Sequence, residues 1–529
     1  MDCSLWHTIR KIVVVGLLLM QVDGFAQSGV DINQFVQLNT VLSDGDNAPF
    51  WLTANRQGLS SLNTSSGYVR YGMDIDGKLG DGNNWRYTAA ADVVAGYNQQ
   101  NAVSLHELYA GISWRWLCVN VGLKERSAEM RSQGILAGDG QFKNLYGRAL
   151  SELGSGGLLY SGNSAPVPQV CIEVPEYVDI PGTGSWLKLR GHIAYGIFLD
   201  HNFQKDFTSS NPSAKYAKNV MYHSKALFMK IGNAEKFPLE VEGGLEMRAQ
   251  FGGDFYTHAK GKYMSMPRGI KDYFKAFIPL SGDETTPTPE QANISGNQIG
   301  NWHLAFTLNT KPVDIRLYGE HLFEDFSQLF FFEYQTNREG KRKITYYPWK
   351  DIQIGVSVTN KTGYLKFIST VQYEYTSMYD QSGAGYNDPN DYFSEQMDGA
   401  DDYYNHSIYP GWHNYGMGIG NPLAFSPLYN SNGTLVFRGN RFKAHNVGVN
   451  GTFAHDGQFK YRLLYTYSEN WGTYFNPFNE KKYTTSLLAD IVFTPSEKWA
   501  LSFSLAYDKS NYIGENWGAM LSLARFGLF

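Results

Sequence analysis

Cysteine is scarce in this chain: three in 529 residues. Cys3 stands before an apolar run near the start, so only Cys118 and Cys171 remain, which allows one disulfide at most and no disulfide framework. Long hydrophobic runs are also missing. Beyond the first thirty residues no stretch approaches the ~20 apolar residues that a membrane-crossing helix needs. Catalytic signatures are lacking too, with no GxSxG elbow, HExxH, CxxC pair or phosphate loop; a chain without them can still be an enzyme, but no local spacing suggests one, and neither an enzyme activity nor a cofactor is expected. The net charge of −5 argues against a general nucleic-acid binder. A mean hydropathy of −0.36 looks soluble, but a closed membrane sheet with a polar inner face has the same average.

What the chain does have is aromatic residues (15%), 55 glycines and a persistent two-residue alternation. In "YVRYGMDIDGKL", Val69, Tyr71, Met73, Ile75 and Leu79 fall on one face of a strand, and Arg70, Asp74, Asp76 and Lys78 on the other. The pattern returns in "WRYTAAADVVAGY", in "WLKLRGHIAYGIFL" (Lys188, Arg190 and His192 on the polar face) and in "LEVEGGLEMRAQF" (Glu240, Glu242, Glu246 and Arg248). It returns again at 313–317, 365–375 and 499–508.

A soluble sandwich would bury the apolar faces against each other. An outer-membrane barrel would turn them to lipid and line its lumen with the charges. Strands of ten residues or more exceed the ~5–6 of soluble sheets and suit a tilted crossing. Aromatic residues mark strand ends, as at Trp85 and Tyr97 or Trp499 and Tyr507. The expected fold is therefore all-β: a large antiparallel transmembrane β-barrel of roughly 16–18 strands, with some helical or plug segments. Lumen charges of both signs interleave and are expected to pair. Short turns fall at 80–84, 310–312, 360–363, 455–458 and 494–497, and long loops near 252–300, 324–346 and 376–444. The long loops would face outward, and "TLVFRG" (434–439) would not be a crossing strand. The count does not close between 118 and 238.

The N-terminus supplies the route. Arg10 and Lys11, an apolar core from Ile12 to Met20 and Gly24-Phe25-Ala26 read as a signal peptide cut after Ala26. Residues 27–529 would then form the barrel, in the outer membrane of a Gram-negative cell. The terminal Phe529 resembles the signal read by the barrel assembly machinery, although Arg525 and Gly527 share its parity.

Candidate site residues are few. His223 and Ser224 are adjacent on a strand and point to opposite faces, so they cannot pair, and His192 reads as a lumen polar residue. The best binding signal is "DDYYNHSIYPGWHNYG" within the 376–444 loop. Aromatic rings cover the C–H face of a sugar, and carboxylates and amides bond its hydroxyls. Asp401, Asp402, Tyr403, Tyr404, Asn405, Tyr409, Trp412 and Tyr415 are the candidate polysaccharide contacts. A second reading makes Asp398, Asp401 and Asp402 calcium ligands, without EF-hand spacing. A third folds the loop inward as packing for the barrel mouth.

Several blocks resemble the Wzi-type capsule assembly proteins of the Bacteroidetes: "NAPFWLTANRQGLSS", "SAPVPQVCIEVPEY", "GHIAYGIFLD", "MYHSKALFMKIGN", "FPLEVEGGLEMRAQFGG" and "DDYYNHSIYPGWHNYGMGIGNPL". The resemblance implies an outer-membrane barrel with helices blocking its periplasmic end. It also implies a lectin-like, non-enzymatic role, in which the protein binds capsular or other surface polysaccharide and assists capsule assembly and attachment. The partners implied are that polysaccharide, membrane lipid and the assembly machinery, for a monomer. The alternative is a channel for small or amphipathic solutes.

Overall fold

A computed structural model describes residues 30–528, apart from 81–83, 127–151, 200, 280–295, 325–328, 331, 337–341, 347–348, 363–366, 384–385, 388–396 and 454–456. The signal segment, residues 127–151 of the region where the count does not close, and Phe529 thus lie outside the described residues. Eighteen strands close one antiparallel sheet. They are β1 Val30–Asp44, β2 Ser65–Lys78, β3 Trp85–Tyr97, β4 Val103–Trp114, β5 Leu117–Leu123 and β6 Gln169–Asp179. Next come β7 Leu187–Ile197, β8 Met221–Ile231, β9 Leu239–Phe251, β10 Asn297–Asn309, β11 Val313–Glu324 and β12 Ile352–Asn360. The last six are β13 Thr370–Ser377, β14 Arg441–Thr452, β15 Phe459–Gly472, β16 Pro477–Ser496, β17 Trp499–Ser510 and β18 Glu515–Phe526.

Each strand pairs with its successor, and β1 returns to β18, with Phe35 opposite Phe526 and Asp44 opposite Trp517. No barrel edge is left open, which is the requirement for a sheet in lipid. Alternation decides which face is which: Val69 is 43% exposed and Arg70 only 7%. Glu242, Glu246, Arg248 and Asp490 are buried in the same inward sense, whereas Leu227, Leu304, Leu463 and Leu505 are exposed outside. Inward rings lie over glycines of the neighbouring strand, Phe228 over Gly244 and Tyr318 over Gly355, where a Cβ would meet ring atoms at about 2.1–2.2 Å.

Short connections, 79–84, 115–116, 180–186, 232–238, 310–312, 361–369, 453–458 and 497–498, share one end with both termini of the barrel. The long ones share the other, together with three short ones, 98–102, 473–476 and 511–514. The unclosed region 118–238 holds β5 to β8. One strand assignment is corrected: β13 begins at Thr370, and Phe367 lies in the turn before it, its carbonyl accepting from the Tyr461 hydroxyl at 2.8 Å. "TLVFRG" is loop, as expected. Cys118 and Cys171 are both free thiols.

The hydrophobic core lies inside the barrel at the long-loop end. Segments 46–64, 152–168 and 401–440 turn inward and pack Phe50, Trp51, Leu158, Tyr404, Trp412, Phe425 and Phe437 together. Helices among the described residues are short: Phe50–Thr53, Phe203–Phe207 and Ile270–Phe277, with 3-10 turns at Thr208–Ser210, Pro422–Ala424 and Pro427–Tyr429. The described obstruction is made of loops at the long-loop end, and residues 127–151 of the region where the count does not close lie outside the described residues.

An outward Leu463→Arg at mid-strand should cost about 2–4 kcal/mol when the barrel is refolded into bilayers. Urea titration followed by tryptophan fluorescence measures it, and an unchanged midpoint would reverse the assignment of the two faces.

Candidate functional site

The charged lumen positions divide into two groups. Some pair with each other along the wall. Arg70 bonds Asp92 and, at 3.3 Å, Glu125. Glu242 holds Arg316 at 2.8 Å and Lys230 at 3.3 Å, and Arg248 bonds Glu246 at 2.5 Å. Arg190 lies over the Tyr177 and Phe228 rings, Asp74 accepts from Asn33 at 2.8 Å, and Glu240 accepts from Asn309 at 3.3 Å. Nearer the turn end the pairing is looser and more exposed: Asp76 with Arg86, and Lys188 with Asp179 at 3.9 Å, while Lys78 is exposed.

The second group was not anticipated. Inward carboxylates accept main-chain N–H groups of the inward loops: Asp508 from Phe50 at 2.7 Å, Glu374 from Ser155 at 2.6 Å, Glu320 from Leu158 at 2.9 Å and Glu324 from Tyr404 at 3.2 Å. A buried carboxylate needs such donors, and a loop inside a barrel needs acceptors for N–H groups that no sheet supplies. Amides complete the fit. Gln353 donates to Gly156, Asn446 to the Leu153 carbonyl, and Gln250 to Gly411. The loops also bind each other, through Ser161 to Ile419 at 2.9 Å and Asn421 to Gly156 at 2.7 Å. The sequence carried no signal for this, because the inward acids and cations it offered were balanced and were expected to pair with each other.

Within this plug the candidate sugar contacts separate. Tyr403, Tyr404, Tyr409 and Trp412 are each at most 2% exposed. Tyr403 donates to the Leu322 carbonyl, Tyr404 reaches the Leu158 carbonyl, and the Trp412 indole donates to Asn297 at 3.2 Å. Tyr403 and Trp412 therefore hold the loop to the wall, Tyr404 ties it to the 152–168 segment, and no sugar reaches these rings in this arrangement. Asn405 bonds the Phe437 main chain in both directions, 2.9 and 2.8 Å. Asp402 accepts from Asn405 and Asn440, and Asp401 from Ser382 at 2.6 Å. Among the described residues no group of three His, Cys, Asp or Glu side chains is placed to hold a metal ion, and the Asp398 side chain lies outside them.

Tyr415 is different. Half-buried, with a φ of 50° that turns the chain at the mouth, it stacks on His201 (14° between planes) and donates to or accepts from its Nδ1 at 2.7 Å. The pair borders a cleft of about 90 Å³ with Gln99, Gln100, Asn101 and Pro166. The buried Gln100 amide nitrogen has no hydrogen-bond partner among the described residues. A ring pair beside amides offers the stacking face and the hydroxyl partners that a pyranose uses. His201 and Gln99–Asn101 carry no motif, which is why the sequence did not single them out. His192 meets Ser224 at 3.1 Å across the β7–β8 pair as a buried wall hydrogen bond, while His223 faces outward and bonds the Ala194 carbonyl at 2.9 Å.

The solved structures place the architecture. Wzi of Escherichia coli, an outer-membrane protein involved in group 1 capsule assembly and a carbohydrate-binding β-barrel, matches at 12% identity with a TM-score of 0.53, over 92% of this chain and 83% of its own. This chain has an outer-membrane β-barrel fold. OccK3 of Pseudomonas aeruginosa (11% identity, TM-score 0.43, 94% and 96% covered) and OmpF of Salmonella typhi (7%, 0.40, 94% and 97%) align more loosely. No family model and no curated protein matches the sequence.

Burial sets opposite pH responses in the plug. It lowers His413 to about 4 and raises Asp351 to about 7. His413, neutral when folded, supports the plug above pH ~6.5 and loses that support as pH falls toward 4. Asp351 works the other way, adding stability as pH falls from 7 toward the ordinary carboxylate range. Asp351→Asn should therefore make the plug lose stability more steeply as pH falls from 6 to 4 than the wild type does, His406, also lowered by burial to about 4, acting in the same sense as His413. Proteolysis of the loops against pH checks this, and a flat profile in the variant would contradict it. Trp412→Ala should destabilise the plug by about 3–5 kcal/mol, read by the same assay.

Proposed function

We propose that this barrel binds a capsular or other surface polysaccharide at its long-loop mouth and helps to attach or assemble it at the cell surface. The observation that carries this reading is the plug. Three loops are fixed to buried wall acids, the 401–440 loop through the Tyr404 N–H on Glu324 at 3.2 Å, so the described loops fill the mouth and leave a ring-and-amide cleft on its rim. The fold likeness to a carbohydrate-binding barrel supports it, as do the sequence blocks resembling the Wzi-type proteins. The long-loop end then faces outward, where polysaccharide is met. No catalytic step is needed for this role. The loop's acids and most of its rings act by holding the mouth in shape, and Tyr415, His201 and Gln100 act by contact.

The rival, a channel, draws on the paired charges that line the wall below the plug. Conductance separates the two. In planar bilayers the wild type should show no steady single-channel current, whereas Glu320→Ala with Glu374→Ala should loosen the plug and allow opening events. A steady current in the wild type would favour the channel.

Retention of polysaccharide tests the role itself. Deletion of the gene should shift polysaccharide from cells to medium, and complementation with Tyr415→Ala, Gln100→Ala should restore less than wild type. Binding by the purified variant should fall about tenfold, ~1.4 kcal/mol, with thermal unfolding unchanged. Full retention in the deletion strain would remove the proposed role.

A further inference from the structure

The outer wall is not evenly convex. Across β6 to β12 it carries an apolar groove of about 1260 Å³, larger than the ~300–1,000 Å³ of ordinary small-molecule clefts. Its floor is a cross-strand row, Met229, Gly243, Leu304, Gly319 and Ile354, in which two glycines flank one leucine. The wall does not require those glycines. Neither has a positive φ, and a Cβ would meet nothing nearer than 3.9 Å at Gly243 or 3.6 Å at Gly319. Glycine inside a strand weakens it and marks a place where something approaches the backbone closely. Here the missing side chains leave two slots open to the outside.

Toward the long-loop end the groove is bordered by Trp302, His321 stacked on Trp349 at 4.4 Å, and Phe277. Phe277 ends the helix Ile270–Phe277, which lies outside the barrel with Tyr273 and Ala276 packed on Tyr195, Ala249 and Phe251. Its other stripe, Ile270, Phe274 and Ile278, is exposed, and such a stripe on a helix lying against a barrel wall belongs in acyl chains. At this same edge Lys225 points outward. Its Nζ donates to the carbonyls of Ala276 and Phe277, and no carboxylate pairs with it among the described residues. Arg268 and Lys271 are exposed beside the helix.

We propose that this groove is a binding site for one acylated, phosphate-bearing lipid of the surrounding membrane, with chains in the glycine slots and phosphate at the Lys225 edge. The charge selects this occupant. The outer wall of a second copy offers mainly apolar side chains, whereas a lipid phosphate offers the anion the cations lack.

Native mass spectrometry of the detergent-purified full barrel tests it, with palmitoyl-oleoyl phosphatidylglycerol, dioleoylglycerol and inorganic phosphate as probes. Phosphatidylglycerol should form a one-to-one adduct, reduced at least tenfold in Gly243→Leu, Gly319→Leu. Lys225→Met should weaken phosphatidylglycerol severalfold and leave dioleoylglycerol unchanged. Heat-modifiable mobility on gels reports folding of each variant, and the lysine variant keeps the test informative if the double variant folds poorly. Equal phosphatidylglycerol binding by wild type and both variants overturns the proposal. So does binding of inorganic phosphate without lipid, or a dimer in sedimentation that the glycine replacements abolish.

Discussion

Closure of β1 onto β18 is the constraint on which the rest depends. In hydrocarbon every main-chain donor and acceptor must be met inside the protein, and a sheet meets that demand only by joining its own ends. Once closed, the alternation of each strand sorts itself: one parity faces oil and the other a lumen of limited width. Eighteen strands enclose a space too wide for wall side chains alone to fill. Something else must occupy it or water will.

The filling comes from the chain itself. The inward loops bring a soluble-like core of Phe50, Trp412, Phe425 and Phe437 into the barrel, so apolar packing lies at the centre, polar wall around it and apolar surface outside. The polar layer between is what makes this stable. Asp508, Glu374 and Glu320 would be costly buried charges on their own, and the Phe50, Ser155 and Leu158 N–H groups would be costly orphans. Each satisfies the other. The outer wall is shaped by the opposite device, side chains left out at Gly243 and Gly319, which gives a membrane surface relief that alternation alone does not produce.

The strand alternation, the aromatic strand ends and most turn positions were legible because they are local: a period of two and a turn of a few residues depend on neighbours in sequence. The turn expected at 494–497 falls instead at 497–498, because the strand Pro477–Ser496 runs on through Thr494. The loop 401–415 shows where that stops. Its tyrosines and tryptophan have the composition of a sugar site, and composition does not say whether a ring faces solvent or a wall residue far away in the chain. Tyr403 and Trp412 turned inward because Leu322 and Asn297 wait there, on strands more than 80 residues earlier. Tyr415 stayed at the rim beside His201, 214 residues before it.

The sequence by itself determined that this is a closed antiparallel sheet with one greasy and one charged face, since that pattern is written residue by residue in stretches such as 68–79. Only the tertiary structure decided what the charges are for, which aromatic rings are accessible and where the outer wall is hollow. Those properties belong to pairs of residues far apart in the chain, brought together by barrel closure and by loops folding back through it.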